Sequence, residues 1–242
     1  LYRRARVTQG TCKTNTKQES VHRQPVSLKE YLICIYYHKP SKNDDRAFER
    51  ASKHCLSQLK LKNCGDNFIF KEYQVTSGQD FKKIWSTIFA ELNKNIAKVK
   101  DMHVFSHSSK TGGQNDGLEF LSTRDERSEV LEDGTISYSE ISELEKLRWS
   151  PNANLVLHGC NTGLRGTSVQ SIADVFAIRQ EKCRVHGQKG WAYFSKDESV
   201  YKRTSPADKE IYLWAFSRGN NSYIGNVIGG EKIPALIVEK KK

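Results

Sequence analysis

The chain has 242 residues, of which 37% are hydrophobic and 28% charged, with a formal net charge of +11. That length suits one large α/β domain or two small ones, and no apolar run approaches the roughly 20 residues of a membrane span. The positive charge admits an anionic ligand, an acidic partner or an acidic membrane surface. The lysines are dispersed, though, and the densest runs, Arg3-Arg4-Ala5-Arg6 and Lys240-Lys241-Lys242, sit beside no nucleic-acid-binding signature, so nucleic acid is not expected as a partner.

Residues 1–28 are polar, basic and aperiodic and read as an arm or linker ahead of a single domain over 29–242. Tyr31 to Tyr37 is a continuous apolar run rich in strand formers, suited to a strand covered on both faces. Ala47, Phe48, Ala51, Cys55, Leu56 and Leu59 then recur at helical spacing, and Phe68 to Val75 reads as the next strand. Phe81, Ile84, Trp85, Ile88, Phe89, Leu92 and Ile96 form one apolar helical stripe, expected in the core. A strand over Met102 to His107 follows. Strand and helix alternate to this point, which predicts a mostly parallel sheet with helices on both faces.

Leu118 to Leu121 and Val130-Leu131 flank a charged stretch before the turn signal Asp133-Gly134, so a small hairpin is expected over 118–136. Ser137 to Glu140 has capping-box spacing and opens a short helix. A strand over Asn154 to His158 leads to Gly159-Cys160-Asn161-Thr162-Gly163, and a helix is expected over 168–180. Strands at Cys183 to Gly187 and Trp191 to Ser195 come next. Glu210 to Ser217 is expected to be helical, and Ile233 to Val238 to form a short edge strand. Met102 is the only methionine, so a processed product or a domain cut from a longer protein is expected. The six cysteines are widely spaced and lack any CxxC pair, which favours reduced thiols over a disulfide framework or zinc.

Two apolar strands thus end on reactive side chains, His107 and Cys160. Ligands collect in the crevice at strand C-termini of such sheets. A His in reach of a thiol lowers its effective pKa or takes its proton, and loop N–H groups can bind an oxyanion. Gly159 is expected to let the chain turn before Cys160, and Gly163 to let it curl away after.

The order of elements, His107 after the third strand and Gly159-Cys160 after the fourth resemble clan CD cysteine peptidases, the caspase-like enzymes. The span between His107 and Cys160 is close to the roughly 50 residues that part His and Cys in caspases. The phrase from Asp133-Gly134 through Leu144, running into Asn154 to Gly163, is similar to CHAT domains and the autoprocessing domains of bacterial toxins. The resemblance covers about residues 29–200 and implies a caspase-like three-layer sandwich. It implies peptide-bond cleavage through a thioester on Cys160, with His107 as base or as acid to the leaving amine. The oxyanion would meet the Cys160 N–H and a second N–H from the loop after His107. The family usually has Gly directly after that His; Ser108 stands there in this chain, with Gly112 and Gly113 only later. Gly187, Trp191, Asp197 and Glu198 become candidates for the substrate pocket, the two carboxylates favouring a basic P1 residue or serving as solvated loop charges.

The resemblance further implies a protein substrate, no required cofactor, an inositol phosphate as an activator, and an inhibitor or immunity protein as a further partner. It places the chain as an effector or toxin domain of a larger secreted bacterial protein, acting in a reducing cytoplasm. Other chemistries fit the spacing less well. A Cys-Arg phosphatase loop needs one residue more than separates Cys160 from Arg165, and Gly-x-Cys-x-Gly, the elbow of hydrolases, does not fit Gly159 to Gly163. His103, His107, His158 and Cys160 could offer four metal ligands, but His103 and His158 lie further down their strands and read as core or crevice residues, so no metal is expected. A non-catalytic caspase-like interaction module is the alternative from a different class.

Overall fold

The computed structural model describes residues 28–38, 46–109, 117–120, 134–165 and 170–188, together with the backbone of Trp191–Phe194, Leu213–Phe216 and Leu236–Val238. The predicted arm, apart from Leu28, lies outside these residues, as do Gly112, Gly113, Asp197, Glu198 and the first residues of the helix expected over 168–180.

The main sheet has six strands in the order β11-β8-β7-β3-β1-β2. They are β1 (Glu30–Tyr37), β2 (Phe68–Val75), β3 (Lys98–Phe105), β7 (Trp149–His158), β8 (Cys183–Gly187) and β11 (Leu236–Val238). Five of them run parallel, and β11 closes one edge antiparallel to β8. This is the α/β sandwich with a mostly parallel sheet that the sequence pattern predicts.

The alternation of side chains along β1 divides the interior in two. Tyr31, Ile33, Ile35 and Tyr37 join one apolar cluster, while Leu32, Cys34 and Tyr36 join the other. Helix α1 (Ala47–Lys62) covers the second cluster with Ala51, Cys55, Leu56 and Leu59. Helix α2 (Gly78–Lys94), α3 (Tyr138–Glu143) and α4 (Ile172–Gln180) cover the first. Phe81, Trp85, Ile88 and Leu92 of α2 are fully buried, and each contributes roughly 1.5–3 kcal/mol relative to exposure. The Trp85 indole N–H donates to the Glu145 carbonyl at 2.9 Å, so the ring's one polar atom is satisfied.

Ends of helices follow local chemistry. Ser77 caps α2 by accepting from the Asp80 N–H at 3.1 Å. Ser137 and Glu140 form the capping box expected at the start of α3, and Ser171 with Asp174 forms another at the start of α4. Ile96 departs from the predicted stripe: it lies past the end of α2 with φ of 50° and is 59% exposed. The stripe ends at Leu92 because the chain has to turn within a few residues to enter β3.

Two further corrections concern short elements. The strand expected through His107 ends at Phe105, and the chain then joins a separate antiparallel sheet of β4 (His107–Ser109), β5 (Gly117–Glu119) and β6 (Thr135–Ser137), in the order β4-β5-β6. The expected hairpin exists as the β5–β6 pair, with residues 121–133 outside the described set. Within the segment expected to be helical, Leu213–Phe216 is instead β10, paired antiparallel with β9 (Trp191–Phe194). A short apolar run with two aromatics has no intrinsic helix or strand preference, and pairing decides it. The edge strand expected near Val238 is β11.

Candidate functional site

β3 lies parallel to β7, with Phe105 opposite His158. His107 and Cys160 each stand two positions beyond that rung, and neighbouring strands are about 4.8 Å apart. The two residues therefore lie just past the same end of two neighbouring strands. His107 opens β4, and Cys160 sits in the turn that runs from Gly159 to Gly163.

Ser108 clasps the two loops together. Its hydroxyl donates a hydrogen bond to the Cys160 carbonyl, which orients the Cys160–Asn161 peptide. Gly159 suits this closeness: a Cβ there would stand 3.0 Å from the Ser106 carbonyl oxygen and 3.1 Å from Ser108 Oγ, tighter than ordinary contact. The turn expected at a glycine is made by Asn161, which has a left-handed φ of 57°. Asparagine tolerates that region better than most residues.

Thr162 anchors the turn from beneath. It is completely buried. Its hydroxyl lies 3.2 Å from the Leu157 and Gly159 carbonyls, and accepts from the Gln188 N–H at 2.9 Å. Its own carbonyl accepts from the Ala173 N–H at 2.9 Å, and the Gly163 N–H donates to Gln188 at 2.7 Å. The Cys160 turn is thereby tied to β7, to the end of β8 and to α4. Nothing in a lone Thr after Cys-Asn distinguishes such an anchor from a surface residue.

His107 is exposed, with its imidazole edge-on to Phe48 at 4.8 Å between ring centres and to Tyr37 at 6.1 Å. These rings limit the imidazole's rotation. Cys160 is partly exposed, whereas Cys34, Cys55 and Cys183 are buried and Cys64 is exposed; none of the five is in a disulfide. Burial pushes the Cys183 thiol up to about 12, so it stays protonated and unreactive near neutrality.

Of the pocket candidates, Gly187 belongs to the support of the Cys160 turn. A Cβ on Gly187 would meet Gly163 N at 2.7 Å and Ala173 Cβ at 2.9 Å. Trp191 starts β9, opposite Phe216.

Beneath the loops, His103 Nδ1 and His158 Nε2 share a hydrogen bond of 3.0 Å between near-parallel rings, and Phe105 stacks on His158. His158 Nδ1 is buried without a partner. Beside the pair, Asn154 donates to Asp101 at 2.7 Å and accepts from His186 at 3.1 Å. Among the described residues no group of three or more His, Cys, Asp or Glu is arranged to hold a metal. His103 and His158 pair with each other. Burial holds the His158 imidazole well below its ordinary value of 6.5, with smaller contributions from His103 and His186. Arg165 reaches Asp174 with two guanidinium nitrogens, at 2.8 and 2.5 Å, a pairing that holds its carboxyl down at about 2 and closes the far side of the turn.

Two outcomes follow from this packing. Gly187→Ala is expected to cost about 1–3 kcal/mol of stability by overpacking, measured by urea unfolding, because the added methyl meets backbone that cannot swing aside. The lowered His158 value means that the unfolded chain binds the proton more readily. Stability from this group is therefore complete above about pH 6.5 and declines as the pH falls below it, by roughly 1.4 kcal/mol per pH unit at most. Urea midpoints from pH 7.5 to 5 should fall less steeply in His158→Phe than in the wild type. Equal slopes would place the acid sensitivity elsewhere.

No family model matches the chain, and no curated protein matches it either.

Proposed function

We propose that this chain is a cysteine endopeptidase of caspase-like type, with Cys160 as nucleophile and His107 as its proton partner. The observation that carries this reading is the β3–β7 register, which sets His107 and Cys160 level beyond Phe105 and His158. The clasp from Ser108 to the Cys160 carbonyl supports it, because a nucleophile acts efficiently only when its backbone is held in place.

The thiol proton passes to His107 and the thiolate adds to the scissile carbonyl carbon. The tetrahedral oxyanion is held by loop N–H groups, for which that of Cys160 is the nearest candidate. Collapse expels the amine, which takes its proton from the His107 imidazolium and leaves a thioester on Cys160. Water, deprotonated by the same imidazole, releases the acid product and restores the thiol. With Ser108 donating to a backbone carbonyl, its hydroxyl serves the loop rather than the oxyanion. The effector or toxin setting rests on the sequence resemblance alone.

Wild type and Cys160→Ala are to be incubated with a proteome and new N-termini read. Cleavages present with the wild type and absent with the variant are the expected result, and a consistent residue before each would define P1. Identical cleavage patterns would refute Cys160 as the nucleophile, and the absence of any cleavage would favour a non-catalytic module.

A further inference from the structure

We infer that Glu119 is a positioning residue whose buried carboxylate orients the imidazole of His107 and favours its protonated form, an inference that deepens the peptidase reading and rests on it for its catalytic meaning. Glu119 lies on β5, the central strand of the small sheet, directly opposite His107 on β4 and Thr135 on β6. Directly opposed residues of antiparallel strands project to one face with Cβ atoms about 4.5–5.5 Å apart. That spacing lets a glutamate reach a ring nitrogen.

The flanking residues fix which way Glu119 projects. Leu118 and Phe120 are buried in the main apolar cluster, so Glu119 between them points to the opposite face of the ribbon. It is nevertheless only 5% exposed. A carboxylate so covered requires polar partners, and the neighbours that the register supplies are an imidazole on one side and a hydroxyl on the other. Its backbone is tightly held. A Cβ on Gly117 would stand 1.8 Å from the Ile136 carbonyl oxygen, so only glycine allows β5 to lie this close to β6, and the Phe120 N–H donates to Gly134 at 2.6 Å.

The imidazole of His107 is then bounded by Phe48 and Tyr37 on one side and by a fixed anion across the ribbon. A carboxylate on one ring nitrogen sets the tautomer and stabilises the imidazolium formed when Cys160 gives up its proton. It does so again while that proton waits for the leaving amine. The titratable groups on the elements packed around His107 are Tyr37 and His38 at the end of β1, Arg46 and Glu49 at the start of α1, Glu119 on β5, and Cys160. Glu49 is paired with Lys53 and Arg46, and Glu119 is the carboxylate directly across from the ring.

The test is an NMR titration of the full chain labelled at His and Glu, with the His107 signal assigned from His107→Gln. In Glu119→Gln the His107 pKa is expected to fall by about one unit, and Glu119→Asp should recover part of the loss. A His107 pKa that is the same in Glu119→Gln as in the wild type overturns the inference. If Glu119→Gln does not fold, the Glu119 carboxyl resonance of the wild type is followed instead. It should move with the His107 titration, and no response overturns the inference equally. None of these readings needs peptidase activity. Failure of the Cys160→Ala comparison would sink the peptidase reading and leave the pairing to be judged by NMR.

Discussion

The candidate site depends on one constraint, the register of β3 against β7. That register is enforced from both faces of the sheet. Met102, Val104, Leu155 and Leu157 enter the main apolar cluster, while Phe105 joins the second cluster and His103 hydrogen-bonds His158. Slipping either strand by one residue would exchange these sets, placing imidazoles among the apolar side chains of α2 and α4. β7 loops out between Trp149 and Asn154, where Asn152 takes a left-handed φ of 59°, and this restores the pairing that both cores require. The level exit of His107 and Cys160 is thus a consequence of packing well below the loops.

The loops then convert a coincidence of height into a rigid arrangement. Ser108 ties the Cys160 backbone to β4, and Thr162 ties the turn to β7, β8 and α4. Burial holds the His158 imidazole beneath well below its ordinary value, so this ring adds no positive charge to compete with His107. A charged imidazole there would repel an imidazolium above it. The caspase-like reading therefore draws on three separate features: the strand ends, the clasp, and a neutral floor.

Much of this was legible in the residue pattern. The continuous run at Tyr31 to Tyr37, the stripe through Phe81, Trp85, Ile88 and Leu92, and the Ser137 and Glu140 spacing each express one local rule, so the elements could be placed directly. His107 and Cys160 could be named because reactive residues at the ends of apolar strands stand out. β4 could not, since three residues form a strand only through their partner. Ser108 read as a departure from a family pattern, and its place on the Cys160 carbonyl depends on two loops meeting in space. Glu119 is a lone charge in the apolar segment beside a charged stretch. Only pairing across the ribbon distinguishes it from a solvated side chain, and that pairing bridges residues 110–116, which carry no periodic signal.

Cys160 can act as the nucleophile only if His107 shares its proton. The most direct measurement is the pH dependence of Cys160 alkylation by iodoacetamide in wild type and in His107→Gln, with the exposed Cys64 as the internal standard. Coupling predicts that wild-type Cys160 reacts well below the ordinary thiol range of about 8.5, and that His107→Gln moves its profile upward to match Cys64. Coincident profiles for Cys160 in the two proteins would contradict it.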